Sequence, residues 1–259
     1  MRVPIRMISV ATTVFWIFLI VFAVTAVYSV RDVSFNMGEP QSTLTQDNMM
    51  ILSLPFTVAN RGFYNIGLLS VTTQISDEEG DLIADNSTTL PVVRVGEQAT
   101  LVHNVTINAT DFLWRNQNYL FDDAMFRVNM SLGMRIAEVI PVQVSTNVSM
   151  PWGAPFYNFS LGQPESAPFD LTHVLVAVPL SFENHAFFDV ACVLRIQMYN
   201  AYGSLVGDTQ TSVSASQHSS YNGFVEFNVP QDEMTNTGRF EVLFLTPPFD
   251  SGQLEVHYG

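Results

Sequence analysis

Ser34-Phe-Asn-Met-Gly-Glu-Pro40 recurs as Asn158-Phe-Ser-Leu-Gly-Gln-Pro164, an offset of 124 from proline to proline. The same offset carries Pro55 onto Pro179, Asn60 onto Asn184, Phe63 onto Phe187, Tyr64 onto Phe188 and Ile66 onto Val190. After a one-residue deletion, Gly80 matches Gly203, Leu82 matches Leu205 and Asp85 matches Asp208. Further on, Phe126-Arg-Val128 resembles Phe240-Glu-Val242. Self-similarity sustained at a fixed offset marks a duplicated structural unit. Met150-Pro-Trp-Gly-Ala-Pro155 punctuates the chain between the copies, so the expected domains are residues 30–149 and 152–259.

Each copy reads as β. Apolar residues alternate with polar ones through Leu101, His103, Val105 and Ile107, through Phe126, Val128, Met130 and Leu132, and through Val142, Val144, Thr146 and Val148. Period two is the pattern of a half-buried strand, and helical signals are scarce outside the N-terminus. Asp77-Glu-Glu-Gly80 and Ala201-Tyr-Gly203 supply equivalent turns, and Asn222-Gly223 is a favoured hairpin pair. About seven strands in ~115 residues is the size of an antiparallel sandwich. The expected fold is all-β, two tandem immunoglobulin-like antiparallel β-sandwiches behind one N-terminal transmembrane helix.

That helix is expected at residues 7–28, a run without charge between Arg6 and Arg31. Its length suffices for a hydrocarbon core of ~30 Å. Arg2 and Arg6 precede it, which favours a cytoplasmic N-terminus at residues 1–6, contact with membrane lipid through residues 7–28, and an extracytoplasmic remainder at the cell membrane. Val24-Thr-Ala26 also resembles a signal-peptidase site, but the apolar stretch is longer than a cleaved signal usually carries.

The chain has 259 residues, a net charge of −14 and no lysine among its ten basic residues. No cationic patch for a phosphate backbone can form, which excludes nucleic acid as a partner. N-x-S/T sequons stand at Asn86, Asn104, Asn108, Asn129, Asn147 and Asn158, more than the Ser and Thr content gives by chance. All but one precede the boundary, so glycans would cluster on the first copy. Cys192 is the single cysteine and lies in the apolar phase of Phe188, Val190, Leu194, Ile196 and Met198, which reads as a buried thiol.

The stretch Pro55-Phe-Thr-Val-Ala-Asn60-Arg-Gly-Phe-Tyr-Asn-Ile66, continued through Leu69-Ser-Val71 to Asp77-Glu-Glu-Gly80-Asp-Leu-Ile83-Ala84, resembles the late-embryogenesis-abundant, water-stress and hypersensitive-response (WHy) domain. Asn60-Arg61-Gly62 and Asn184-His185-Ala186 stand where that family has Asn-Pro-Asn. The resemblance spans both copies and implies a seven-stranded sandwich, no cofactor, and a role in stress protection or at the cell surface.

Candidate chemistry is sparse. Asn60 and Asn184 read as structural bends, through side-chain bonds to nearby backbone. The five histidines lack metal-ligand spacing, and the acidic turn at Asp77–Asp81 lacks a calcium-loop pattern. No nucleophile elbow and no phosphate or dinucleotide loop occurs, so neither an enzyme nor a bound cofactor or metal is expected. Trp152, Tyr157, Tyr202 and Tyr221 lie near expected loops and form a candidate partner surface. The expected function is a non-catalytic structural or interaction role at the cell envelope, with an envelope protein or surface glycan as partner. The alternatives are desiccation or osmotic protection and, less favoured, an uncharacterised hydrolase.

Overall fold

The computed structural model describes residues 3–250 and 252–259; residues 1 and 2, part of the expected cytoplasmic segment, and residue 251 lie outside the described residues. A helix, α1 (Val3–Arg31), precedes the first unit: β1 (Val33–Met37), β2 (Gln41–Leu44), β3 (Met49–Asn60), β4 (Ile66–Ser76), β5 (Leu82–Val93), β6 (Gln98–Asn108), β7 (Ala124–Ile136) and β8 (Ile140–Trp152). The second unit holds β9 (Tyr157–Leu161), β10 (Glu165–Pro168), β11 (His173–Asn184), β12 (Val190–Asn200), β13 (Leu205–Ala215), β14 (Ser219–Pro230), β15 (Gly238–Phe244) and β16 (Gln253–Tyr258).

All pairings are antiparallel. In the first unit β3 lies between β6 and the pair β1 and β2, and the second sheet runs β5-β4-β7-β8. In the second unit β11 lies between β14 and the pair β9 and β10, and the other sheet runs β13-β12-β15-β16. The fold is therefore all-β, with the same two-sheet topology written twice behind one apolar helix.

Each unit has eight strands where about seven are expected, because one edge strand is broken in two. Gly38 and Gly162 donate their N–H groups to the carbonyls of Pro55 and Pro179, both at 2.8 Å. A Cβ on either glycine would press on the facing proline ring. In antiparallel pairing the N–H and C=O of a residue point to the same neighbour. The missing proline N–H thus falls at the break between β1 and β2, or β9 and β10, and no ladder bond is lost. This contact accounts for the glycine of the repeated Gly-x-Pro motif.

Two details of the duplication are settled by register. The pairing of β4 with β7 shifts between Gly67 and Ser70, and Leu68 sits there at φ 46°. This bulge carries the extra residue of the first copy, after which Leu69 and Val71 face inward like Cys192 and Leu194. Ile75 pairs with Val128, whereas its counterpart Met198 pairs with Phe240. Val128, not Phe126, is therefore the equivalent of Phe240, and Leu132 is the equivalent of Phe244; the similarity of Phe126-Arg-Val128 to the second copy conceals a slip of two positions.

An insert absent from the second unit follows β6: the helix α2 (Ala109–Arg115) and a 3₁₀ turn at Gln117–Leu120. Asn108 caps α2 by accepting the N–H of Asp111 at 3.2 Å. Phe112, Leu113, Tyr119 and Leu120 are buried, and their cluster is continuous with the core of the second unit. A separate cluster around Phe56, Val58, Ile66, Leu69, Val93 and Ile136 fills the α1 end of the first unit. β8 extends through Pro151 to Trp152, past residue 149; it is an edge strand, where proline is tolerated.

Candidate functional site

Asn60 and Asn184 are fully buried and equally employed. The Asn60 amide donates to the carbonyls of Tyr64 and Val93, both at 3.0 Å, and its Oδ1 accepts the Gly62 N–H at 3.1 Å. Asn184 donates to Phe188, Ser216 and Ala215 and accepts from Ala186 at 2.9 Å. Each amide fastens a bend to the facing hairpin, and no face of it is left for a ligand.

The bend end of the first unit lies against α1. Ser29 Oγ accepts the N–H groups of Phe63 and Tyr64 at 3.0 and 3.3 Å. The Tyr64 hydroxyl is 2.7 Å from Thr25 Oγ1, and its ring meets Phe22 edge-on at 5.5 Å. Phe22 lies nine residues before Arg31, about 13 Å along the axis, so the loop at 61–65 descends beside the last turns of α1. The side chain and carbonyl of Asn65 hold the two other hairpins of this end, through Val95 N–H and Ala137 N–H. All three tips carry exposed apolar residues: Phe63, Val95 and Val139.

The opposite end of the second unit is the far tip. Asp170 Oδ1 accepts from Thr172 N–H, Thr172 Oγ1 and His173 N–H. The Thr172 backbone bond foremost holds the Asp170 carboxyl down to about 2. The turn so fixed presents Leu171 at 98% exposure beside Phe169, and the β12–β13 turn at the same end of the unit presents Tyr202 at 87%.

Of the four residues expected to form a partner surface, Tyr202 alone is fully exposed. Trp152 is buried: its Nε1 donates to the Tyr119 carbonyl at 2.9 Å and its ring packs on Phe112, Phe126 and Phe188. Tyr157 stacks on His185 at 4.2 Å, and Tyr221 stacks on Phe182 at 5.2 Å. The three serve packing because the junction and the strand faces offered unfilled apolar surface. Phe169 and Leu171, on either side of Asp170, are the exposed apolar residues of that turn; apolar residues flanking the aspartate of an Asp-x-Thr turn are the signal that would have found them. All six sequon asparagines are exposed.

The units meet at a bonded junction. Phe156 N–H donates to Leu120 O at 2.9 Å, Ala154 N–H to Asp123 Oδ1 at 2.8 Å, and His185 N–H to Ala154 O at 3.0 Å. Phe121 meets Phe244 at 5.8 Å. His185 bridges Asp123 Oδ2 at 2.8 Å and Glu183 Oε2 at 3.2 Å, and the Asp123 bond foremost raises its pKa. A cavity of about 670 Å³ opens here, lined by Phe126, Trp152, Phe187, Asp123, His185 and His218 among others.

Beside it, two further cavities of about 300 and 120 Å³ form a groove along the side of the first unit. The first shares Ser42, Leu52, Met150 and Pro151 with the junction cavity, and the second shares Leu54 and Met130 with the first. The walls are nearly all apolar. At the floor the buried His103 ring bonds Thr88 Oγ1 at 2.8 Å and Thr73 Oγ1 at 2.9 Å. Burial lowers the His103 pKa.

Cys192 is buried, which pushes its thiol pKa up and keeps it protonated. Asp77, Glu79, Asp81, Asp85 and Asp111 border a pocket of about 450 Å³ with Arg115. Among the described residues no three His, Cys, Asp or Glu side chains converge to hold a metal ion.

No family model matches the chain, and no curated protein matches its sequence. Solved structures similar in part include a protein described as ApaA from Bordetella pertussis, at 12% identity and TM-score 0.31 over 48% of this chain and 94% of that one. Red sea bream transglutaminase is similar at 10% identity and TM-score 0.31 over 88% of this chain and 31% of its own. A glycosyl hydrolase family 2 member from Bacteroides cellulosilyticus is similar at 10% identity and TM-score 0.34 over 80% of this chain and 28% of its own. Likeness at this level bears on neither activity nor partners.

Proposed function

We propose that this chain is a single-pass anchored, extracytoplasmic interaction protein of the WHy type, holding two sandwiches end to end above a membrane. The observation that carries the reading is the polarity of the molecule. An exposed apolar helix, long enough to span a bilayer, stands at one end, and the exposed side chains of Phe169, Leu171 and Tyr202 stand at the other. Phe63, Val95 and Val139 would rest in the outer interfacial layer, where an apolar loop beside a spanning helix is stabilised. The six exposed sequon sites agree with an outside location, and the tip is the surface offered to an envelope protein or glycan.

Topology and role are tested together in intact cells. A photoreactive residue at position 171 or 202 is expected to form adducts with an envelope component, while the same residue at position 72 of the glycan-bearing first unit forms none. Exterior protease is expected to remove the sandwiches and spare α1. Adducts only from position 72, or full protection from the protease, would overturn the reading.

A further inference from the structure

The second unit is an internal control for the first, and it exposes a difference that packing alone does not call for. Phe240 and Phe244 of the second unit are buried to 2% exposure or less. Their register equivalents in the first are the smaller Val128 and Leu132. Ile196 and Val225, apolar in the second unit, are replaced by Thr73 and His103. Where the second core is closed, the first is divided into two clusters with the groove between them.

The groove is also unroofed. β8 has 13 residues against six in β16, and its apolar face at Val144 and Val148 is exposed. Phe35 and Met37 form the opposite lip, also exposed. Asn147 of β8 is exposed and lines neither cavity, which leaves that sequon clear of the opening. From Val144 to Met150 the groove runs about 20 Å at ~3.3 Å per residue. One leaflet of a hydrocarbon core is about 15 Å deep. The groove also begins near the α1 end: Phe35 stands two residues from Val33, where β1 leaves the helix.

We propose that this groove binds the acyl tail of a membrane lipid, drawn from the leaflet on which the first unit rests. The site recognises the tail and not a headgroup, because the polar side chains at its floor are bonded to one another. The proposal rests on the membrane anchoring proposed above, which supplies the lipid at the base of the groove. An acyl chain is favoured over a peptide strand because Leu54, Val105, Val128, Met130 and Val148 offer apolar contact along the length of the walls.

The full chain is reconstituted in palmitoyl-oleoyl-phosphatidylcholine vesicles containing a phosphatidylcholine with a diazirine on one acyl chain, irradiated, and mapped by peptide. Adducts are expected on residues 33–44 and 140–152, and not on 253–258. Val144→Glu and Met37→Glu place charge at already exposed positions, so folding is spared; each is expected to lower β8 adducts about tenfold, since a charge in an apolar groove opposes tail entry. Val128→Phe with Leu132→Phe copies the rings of the second unit and is expected to abolish them. Equal labelling of β8 and β16, or β8 crosslinked to a second copy of the chain, would overturn the proposal. Adducts on α1 report the anchor separately: α1 labelled with β8 unlabelled rejects the groove alone, and β8 labelled with α1 unlabelled rejects the anchor alone.

Discussion

His103 and His185 respond to pH in opposite directions. The His103 pKa is lowered from 6.5 by burial, so the unfolded chain takes up the proton first as pH falls. Its neutral form stabilises the fold above 6.5, and that contribution is lost progressively below. The His185 pKa is raised from 6.5, chiefly by its bond to Asp123. Its contribution is full below 6.5 and is lost as pH rises through the folded value. Thermal unfolding against pH is expected to lose much of its acid-side slope in His103→Val with Thr73→Ile, which copies the second unit and leaves only the half-buried Thr88 hydroxyl without its histidine partner. His185→Gln is expected to flatten the other side. Asn184→Ala strands buried carbonyls and the Ala186 N–H, and is expected to lower stability by about 3 kcal/mol in denaturant titration. Asn60→Ala should behave alike; an unchanged midpoint for either would remove the bends from the structural account.

At the scale of elements, the glycine and proline pair explains why the edge strand breaks. Gly162→Ala would press a methyl on the Pro179 ring, and a loss of about 1–3 kcal/mol is expected from overpacking, measurable by thermal melting. Strands and their inward faces were legible because period two is local: His103, Val105 and Ile107 point inward as their alternation requires. The tandem topology was legible because a repeat is its own alignment. α2 was not read, although Asn108 followed three residues later by Asp111 is a capping signal; that asparagine was seen only as a sequon. Trp152 was misjudged because its burial depends on Tyr119 and Phe188, residues far from it in sequence. The groove was illegible for a further reason: it arises from volume that is missing relative to the second copy, and the two-residue slip in β7 hid which residues to compare.

For the molecule as a whole, the junction decides whether two sandwiches unfold as one. Trp152 contacts rings of both units, so Trp152→Ala is expected to cost about 3–5 kcal/mol and to split one calorimetric transition into two; a single transition at the wild-type temperature would place the coupling elsewhere. The buried cluster also runs without a break from the first sandwich into the second. At the other end α1 ends at Arg31 and β1 begins at Val33, while Ser29 grips the loop above it. A single residue, Asp32, separates α1 from β1, so a sideways pull on the tip reaches the helix with little slack. If α1 spans a bilayer as proposed, a load on the tip would tilt the helix, and the surrounding lipid would bear it.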